Sequence, residues 1–342
     1  MLTITRPDDW HVHFRDDELL KVTVPATAFH FHRALVMPNL KPALTDLPTL
    51  EAYRTRVIAH IPKEVDFTPY FTLYLNESLK PETFLTAASL PYVLGAKLYP
   101  AGATTNSEAG VTSIKSLYPL FEIMQQLNLV LQIHGEVTHG DVFEREALFI
   151  EHHLKAIIAD FPKLRVILEH ISTEAAVDFI LEAPEVIAAT ITPHHLLYHR
   201  NALLAQGLKP HMYCLPILKH ERDQKALQKA ACSGNPKFFA GTDSAPHAIE
   251  TKESACGCAG IYSAPFAVAL YAHLFDKLNQ LQKLDDFLGR FGATFYQLPL
   301  SRNKVELIKS AQKIPDSMAF GSSRVVPMAA GELISWSVHD AS

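Results

Sequence analysis

The sequence predicts an α/β chain whose eight parallel strands, each followed by a helix, close into a (β/α)8 barrel of the TIM type. Three observations carry that expectation. Eight short runs rich in β-branched and aromatic residues recur at 10–14, 34–38, 67–75, 92–100, 129–134, 165–170, 186–193 and 237–243. Helical periodicity fills gaps between them, from Leu47 to His60, Ser113 to Leu127, Glu144 to Asp160, Thr173 to Leu181 and Glu221 to Ala231. Parallel neighbours need such long crossovers, so the alternation implies a parallel sheet. An open doubly wound sheet would announce a glycine-rich phosphate turn after its first strand, and no GxGxxG or Walker loop is present.

Taken in order, the strands are WHVHF, ALVMP, FTPYFTLYL, YVLGAKLYP, LVLQIH, RVILEH, VIAATITP and KFFAGTD. Beyond the eighth, two helical stretches from Ser263 to Leu288 and a mixed tail from about Val305 to Ser342 add extra C-terminal elements. Residues 263–342 are expected to pack outside the barrel. No repeat, low-complexity tract or linker interrupts the chain, so 1–342 reads as a single domain.

The composition narrows the function. The chain has 342 residues, 48% of them hydrophobic, with 31 Lys and Arg against 36 Asp and Glu for a net charge of −5. That balance, without a dense basic block, argues against nucleic acid or a membrane surface as partner. No apolar run reaches the roughly 18 residues of a spanning helix, and the charged start MLTITRPDDW is unlike a signal peptide, so a cytoplasmic protein is expected. The cysteines Cys214, Cys232, Cys256 and Cys258 read as reduced, and the CxC of Cys256 and Cys258 lacks a second ligand pair at zinc-finger spacing. No GxSxG elbow or HExxH helix offers a serine nucleophile or a zinc-protease site.

Histidine is the unusual entry, at 18 residues. His11 and His13 are one residue apart in the first run, where a period of two turns both to one face. His134, His170 and Asp243 end the fifth, sixth and eighth runs, at the carboxyl ends where a barrel gathers function. Lys97 sits in the apolar fourth run, where a buried ammonium is costly unless it snorkels or is chemically altered. A lone HxH means little: His30 and His32 form another, in an amphipathic stretch expected to be helical, where i and i+2 diverge. Convergence in strand order sets the first group apart. His194 and His195, after the seventh run, are expected to be structural or to back the ligands, and His152 and His153 to lie on an exposed helix.

That order resembles the amidohydrolase superfamily, with its HxH, carboxylated lysine, two histidines and aspartate. RPDDWHVHFRD (6–16), MPNLKP (37–42), KLYPAGATTNS (97–107), TPHH (192–195), GTDSAPH (241–247) and KESACGCAGIYSAP (252–265) resemble, within it, the dihydroorotase family of the bacterial single-function type. The resemblance implies two Zn2+ per subunit. His11, His13 and Asp243 would hold one and His134 and His170 the other, with Lys97, as N6-carboxylysine, bridging both. It also implies a metal-bridging hydroxide as nucleophile, with Asp243 as general base and acid, in the reversible hydrolysis of dihydroorotate to N-carbamoyl-L-aspartate in de novo pyrimidine synthesis.

For the substrate it implies Arg15, placed on the same strand face as the HxH, together with Asn39 and His247. Leu215 and Ala259 would offer backbone groups, and Thr104 and Thr105 would belong to a mobile lid. The resemblance further implies a homodimer. The chain departs from the pattern at Phe14, Gly102 and His139, none of which removes a catalytic group; Gly102 could loosen the lid. The alternatives are another cyclic amidase, such as a hydantoinase or allantoinase, and a non-catalytic metal-binding or assembly protein on the same barrel.

Overall fold

In the computed structural model, which describes residues 1–340, eight consecutive parallel strands form one sheet in chain order. After an N-terminal strand β1 (Leu2–Thr5) come β2 (Asp8–Val12), β3 (Arg33–Val36), β4 (Thr68–Tyr74) and β5 (Val93–Leu98). They are followed by β6 (Val130–Ile133), β7 (Arg165–Leu168), β8 (Ile187–Ile191) and β9 (Phe238–Ala240). The sheet closes where the chain after β9 returns to β2: Asp243 N–H donates to the His11 carbonyl (2.8 Å) and His13 N–H to that of Ser244 (3.0 Å). This is the expected (β/α)8 barrel, and every one of its strands coincides with a predicted run.

Strands such as β3, β6, β7 and β8 are buried at every position, because helices cover one face and the barrel interior fills the other. Apolar runs therefore mark strands here better than alternation does. Boundaries differ at the charged ends. β2 begins with Asp8 and Asp9, which an apolar criterion skips. Both are buried because both are paired: Arg33 forks onto Asp8 (2.8 and 2.5 Å), and Asp9 accepts from Thr242 N–H (2.8 Å) and the Thr242 hydroxyl (2.6 Å). At this seam the chain needs Gly241, where a Cβ would lie 2.9 and 3.0 Å from the Cβ atoms of Thr190 and His11.

Two features differ from the sequence reading. The helix Leu20–Ala28 ends before the second HxH, so His30 and His32 lie in the turn leading to β3 rather than in a helix. The tail contributes strand β10 (Lys304–Ile308), which pairs antiparallel with β1 and with Ser337–Asp340. Four residues at each end of the chain carry too little periodicity to announce such a long-range pairing.

The N-terminal mouth of the barrel is plugged. Trp10 stacks on Tyr296 (ring centroids 4.4 Å), whose hydroxyl accepts from Gln132 Nε2 (3.1 Å). In the helix Phe291–Phe295, Gly292 lies against the indole, and a Cβ there would sit 2.0 Å from Trp10 Nε1. G292A forces the ring or the helix to move. Overpacking of this kind costs about 1–3 kcal/mol, more than the ~1 kcal/mol gained from alanine's helix propensity. Thermal unfolding should show a lowered midpoint for this variant; an unchanged or raised one contradicts the packing described.

Candidate active site

The opposite mouth holds a narrow cavity that opens to solvent. Of the residues singled out in the sequence, His11, His13, Arg15, Asn39, Thr104, Thr105, His134, His170, Leu215, Asp243 and Ala259 all line it, joined by Tyr99, Ala245 and Gly260. Lys97 and His247 are not in the lining. Lys97 is fully buried, its Nζ 5.1 Å from the centroid of the Tyr99 ring, and His247 sits behind Arg15.

The strand ends aim these groups by bending. Arg15, His170 and Asp243 adopt left-handed backbone conformations, with φ of 62°, 42° and 45°. Such strain in non-glycine residues persists only where surrounding contacts hold it, and it gathers at functional sites. For Arg15 this corrects the reason given for its placement. β2 stops at Val12 and His13 still bonds across to Ser244, but the chain turns at Arg15, which therefore does not continue the face of His11 and His13. It reaches the cavity through a turn, where its Nε donates to the Pro246 carbonyl (2.9 Å).

Within the cavity Asp243 Oδ1 lies 3.0 Å from His13 Nε2 and 3.4 Å from His11 Nε2. His11 Nδ1 is 2.8 Å from Glu169, which also accepts from the Thr190 hydroxyl (2.5 Å). A carboxylate on Nδ1 fixes the proton there and leaves Nε2 as a lone-pair donor toward Asp243. His134 is held in the complementary way, with Nε2 2.9 Å from Glu136 and Nδ1 left for the cavity. The His170 ring packs beside both His11 and His134, with centroids 5.0 and 4.8 Å apart, and its buried Nδ1 has no partner among the described residues.

Burial favours the neutral imidazole at His13, His134 and His170. It pushes His13 down to about 4 and lowers His134 and His170 as well. Burial opposes charge on Asp243 too, but the His13 hydrogen bond and the neighbouring imidazoles outweigh it and hold the carboxyl well below its ordinary range. Burial also draws Lys97 down to about 8, and its Nζ has no hydrogen-bond partner among the described residues. A wholly buried side chain cannot snorkel, which removes one of the two alternatives its sequence context left open.

On the far side of the cavity, Arg15 Nη2 is 2.9 Å from His247 Nε2, which is also 3.0 Å from the Ala259 carbonyl. The loop carrying Thr104 and Thr105 lies closed. Asn39 Nδ2 donates to the Thr105 carbonyl (3.0 Å), Asn106 Nδ2 to that of Asn39 (3.1 Å), and the Thr105 hydroxyl to that of Ala259 (3.2 Å). Gly102 meets no atom within 4 Å of where a Cβ would stand, at φ 78°.

His194, His195 and Cys214 form a second buried group with metal-ligand atoms close together. Two of its three members are already engaged, while both ring nitrogens of His194 have no hydrogen-bond partner among the described residues. His195 is saturated by the Thr192 hydroxyl (2.8 Å) and the Pro216 carbonyl (2.9 Å), and Cys214 donates to that same carbonyl (3.2 Å). Burial pushes the Cys214 thiol up to about 12. Sequence reasoning missed Glu169, Glu136 and Tyr99. The signals were present as carboxylates beside ligand histidines, in LEH and HGE, but nothing local shows which atom they reach.

An amidohydrolase family profile matches residues 8–283. Dihydroorotase of Nitrosococcus oceani is 52% identical over 337 residues, covering 98% of each chain. A crystal structure of dihydroorotase from Saccharomyces cerevisiae in complex with 5-fluoroorotic acid superposes with a TM-score of 0.91 at 36% identity, covering 99% of both chains. L-Hydantoinase of Arthrobacter aurescens, at 15% identity and a TM-score of 0.81 over 98% of this chain and 82% of its own, shares the fold alone. The chain therefore belongs to the amidohydrolase family, among the dihydroorotases.

Proposed function

We propose that this chain is a zinc-dependent dihydroorotase that opens the ring amide of dihydroorotate, reversibly, to give N-carbamoyl-L-aspartate. The observation that carries the reading is the meeting, at one barrel mouth, of HxH, Asp243, two further histidines and a buried lysine, beside a guanidinium within a closable pocket. The donor chemistry fits a pair of zinc ions: the imidazoles of His11 and His134 with their far nitrogens tied to carboxylates, a deprotonated Asp243, and a buried Lys97 whose Nζ has no partner among the described residues. His11, His13 and Asp243 would hold one ion, His134 and His170 the other. Lys97, its free amine adding to carbon dioxide with loss of a proton, would bridge them as a carbamate. When bound, such ions supply Lewis acidity that makes water more acidic and a carbonyl more electrophilic.

The chain's own groups do the rest. Arg15 offers a fork for the substrate carboxylate, with His247 and Asn39 beside it. Asp243 takes the proton of the attacking water and passes it to the departing ring nitrogen. The C–N bond breaks as the new C–O bond forms, leaving a carboxylate and a carbamoyl NH2. The Thr104–Thr105 loop excludes bulk water. The guanidinium pocket favours an acid-bearing ring over the neutral rings of hydantoinase or allantoinase substrates. We read the whole chain as one catalytic domain acting as a cytoplasmic homodimer in de novo pyrimidine synthesis. No helix among the described residues is long and apolar enough to cross a membrane.

The decisive assay is the loss of dihydroorotate absorbance with zinc-loaded protein. K97A should lower turnover by at least about 10³-fold, since several kcal/mol of transition-state stabilisation goes with the metal bridge. Inert, metal-replete wild-type protein would sink the reading. E169Q should weaken zinc binding about 10–100-fold in chelator competition; unchanged affinity would remove Glu169 from the support of His11.

A third expectation concerns pH. Burial holds His13, His134, His170, His194, His195 and His247 below their ordinary values. The unfolded chain protonates its histidines near ~6.5 and the folded one does not, so stability falls as pH drops below that value. Asp8 and Asp9, raised by burial to about 6, and Glu146, raised to about 7, take up protons in the fold and offset part of the loss. With more histidines than carboxylates involved, the urea midpoint of metal-stripped protein should be lower at pH 5 than at pH 7. An equal or higher midpoint contradicts this.

A further inference from the structure

Lys252 ends the short helix Ile249–Lys252 and is 3% exposed, yet no carboxylate pairs with it among the described residues. Its Nζ instead donates to three backbone carbonyls, those of Tyr213 (2.8 Å), Cys258 (2.9 Å) and Gly260 (2.8 Å). An ammonium has three N–H donors, so all are used, which is what makes its burial tolerable. Burial draws it down to about 8, leaving it charged at neutral pH.

The three carbonyls belong to the two loops that reach the cavity at Leu215 and Ala259. These loops are also joined directly, by Gly260 N–H to the Tyr213 carbonyl (3.0 Å). Around Ala259 the carbonyls alternate. Those of Cys258 and Gly260 turn to Lys252, while that of Ala259 turns the other way, to His247 Nε2 (3.0 Å) and the Thr105 hydroxyl of the closed lid (3.2 Å). Anchoring the outer two carbonyls fixes the direction of the middle one. Gly260 allows the close approach, since a Cβ there would meet the Ala245 carbonyl oxygen at 2.4 Å.

We propose that Lys252 is a positioning residue for the substrate pocket, a three-way clamp that sets the main chain at Leu215 and Ala259 and thereby the anchor on which the lid closes. The inference rests on the dihydroorotase reading and deepens it. Lys252 touches neither the cavity nor the zinc ligands, so its loss should act on binding rather than on chemistry. An arginine keeps the charge but sends its N–H groups outward in a planar fork, which cannot converge on three carbonyls from one nitrogen.

The test uses the full zinc-loaded chain and K252M, with 5-fluoroorotic acid as binding probe. Relative to wild type, KM for dihydroorotate and Kd for 5-fluoroorotic acid should rise about tenfold or more, as expected when a positioning contact is lost. Over the same comparison kcat should stay within about threefold and zinc content should not change. Deuterium uptake should rise in 213–216 and 258–261 and not in the barrel strands. Unchanged KM, Kd and exchange overturn the proposal, as does a joint collapse of kcat and zinc content, which would make the residue merely structural. Should K252M fail to fold, K252R is read by the same measures: raised Kd with full zinc supports the clamp, unchanged Kd overturns it. Wild-type protein that neither binds 5-fluoroorotic acid nor consumes dihydroorotate would instead overturn the assigned activity, and the exchange comparison would still decide whether Lys252 holds the loops.

Discussion

The closing seam of the barrel is the constraint on which the rest depends. Between β2 and the chain after β9, the buried carboxylate of Asp9 gathers the N–H of His11 (3.2 Å) with the N–H and hydroxyl of Thr242. Main-chain bonds from Asp243 to His11 and from His13 to Ser244 continue the seam upward. The first and last strands are thereby set in one register, and that register brings His11, His13 and Asp243 to a common point. Burying Asp9 is costly, enough to raise it to about 6, and three donors offset the cost. A carboxylate 233 residues from its partner Thr242 in the chain is thus both the lock of the fold and the alignment of the site.

Above the seam the same low-polarity setting selects the chemistry. Burial disfavours the charged form of His13, His134 and His170, which keeps their lone pairs available, and Glu169 and Glu136 set which nitrogen of His11 and His134 presents one. It also disfavours the ammonium of Lys97, drawing it down to about 8, and the Nζ has no hydrogen-bond partner among the described residues. The opposite wall is built on other terms. Arg15, His247, Asn39 and the lid are linked chiefly through backbone carbonyls, among them those of Pro246, Ala259 and Thr105. Carbonyls can be re-partnered as a loop opens, whereas the buried histidine–carboxylate pairs cannot be parted cheaply. The wall built on His11 and His134 is accordingly held by buried directional pairs, and the opposite wall by contacts that a loop can exchange.

Much of this was legible in the amino-acid order. Parallel barrel strands are covered on both faces, so apolar runs locate them, and polar residues at their carboxyl ends stand out because they interrupt such runs. His134, His170, Asp243 and Lys97 were visible for that reason, whereas the pair His30 and His32 was set aside on a helical reading that the structure replaces with a turn. Arg15 was named for a reason the structure replaces: a left-handed turn, not strand alternation, carries it to the cavity. β1 and its partners in the tail were missed, because short strands at opposite ends of a chain leave no local trace of pairing.

The count and order of the barrel strands, the groups at their ends and the family resemblance are all written in local pattern and residue type, and so are legible without the fold. Only the tertiary structure decided which nitrogen of each histidine faces the cavity, that Lys97 has no route to solvent, that the lid rests on the Ala259 carbonyl, and that Lys252 binds two loops together. Those are directional contacts between residues far apart in the chain. Hydrogen-bond geometry and burial exist only once the barrel has closed, and no spacing within the sequence encodes them.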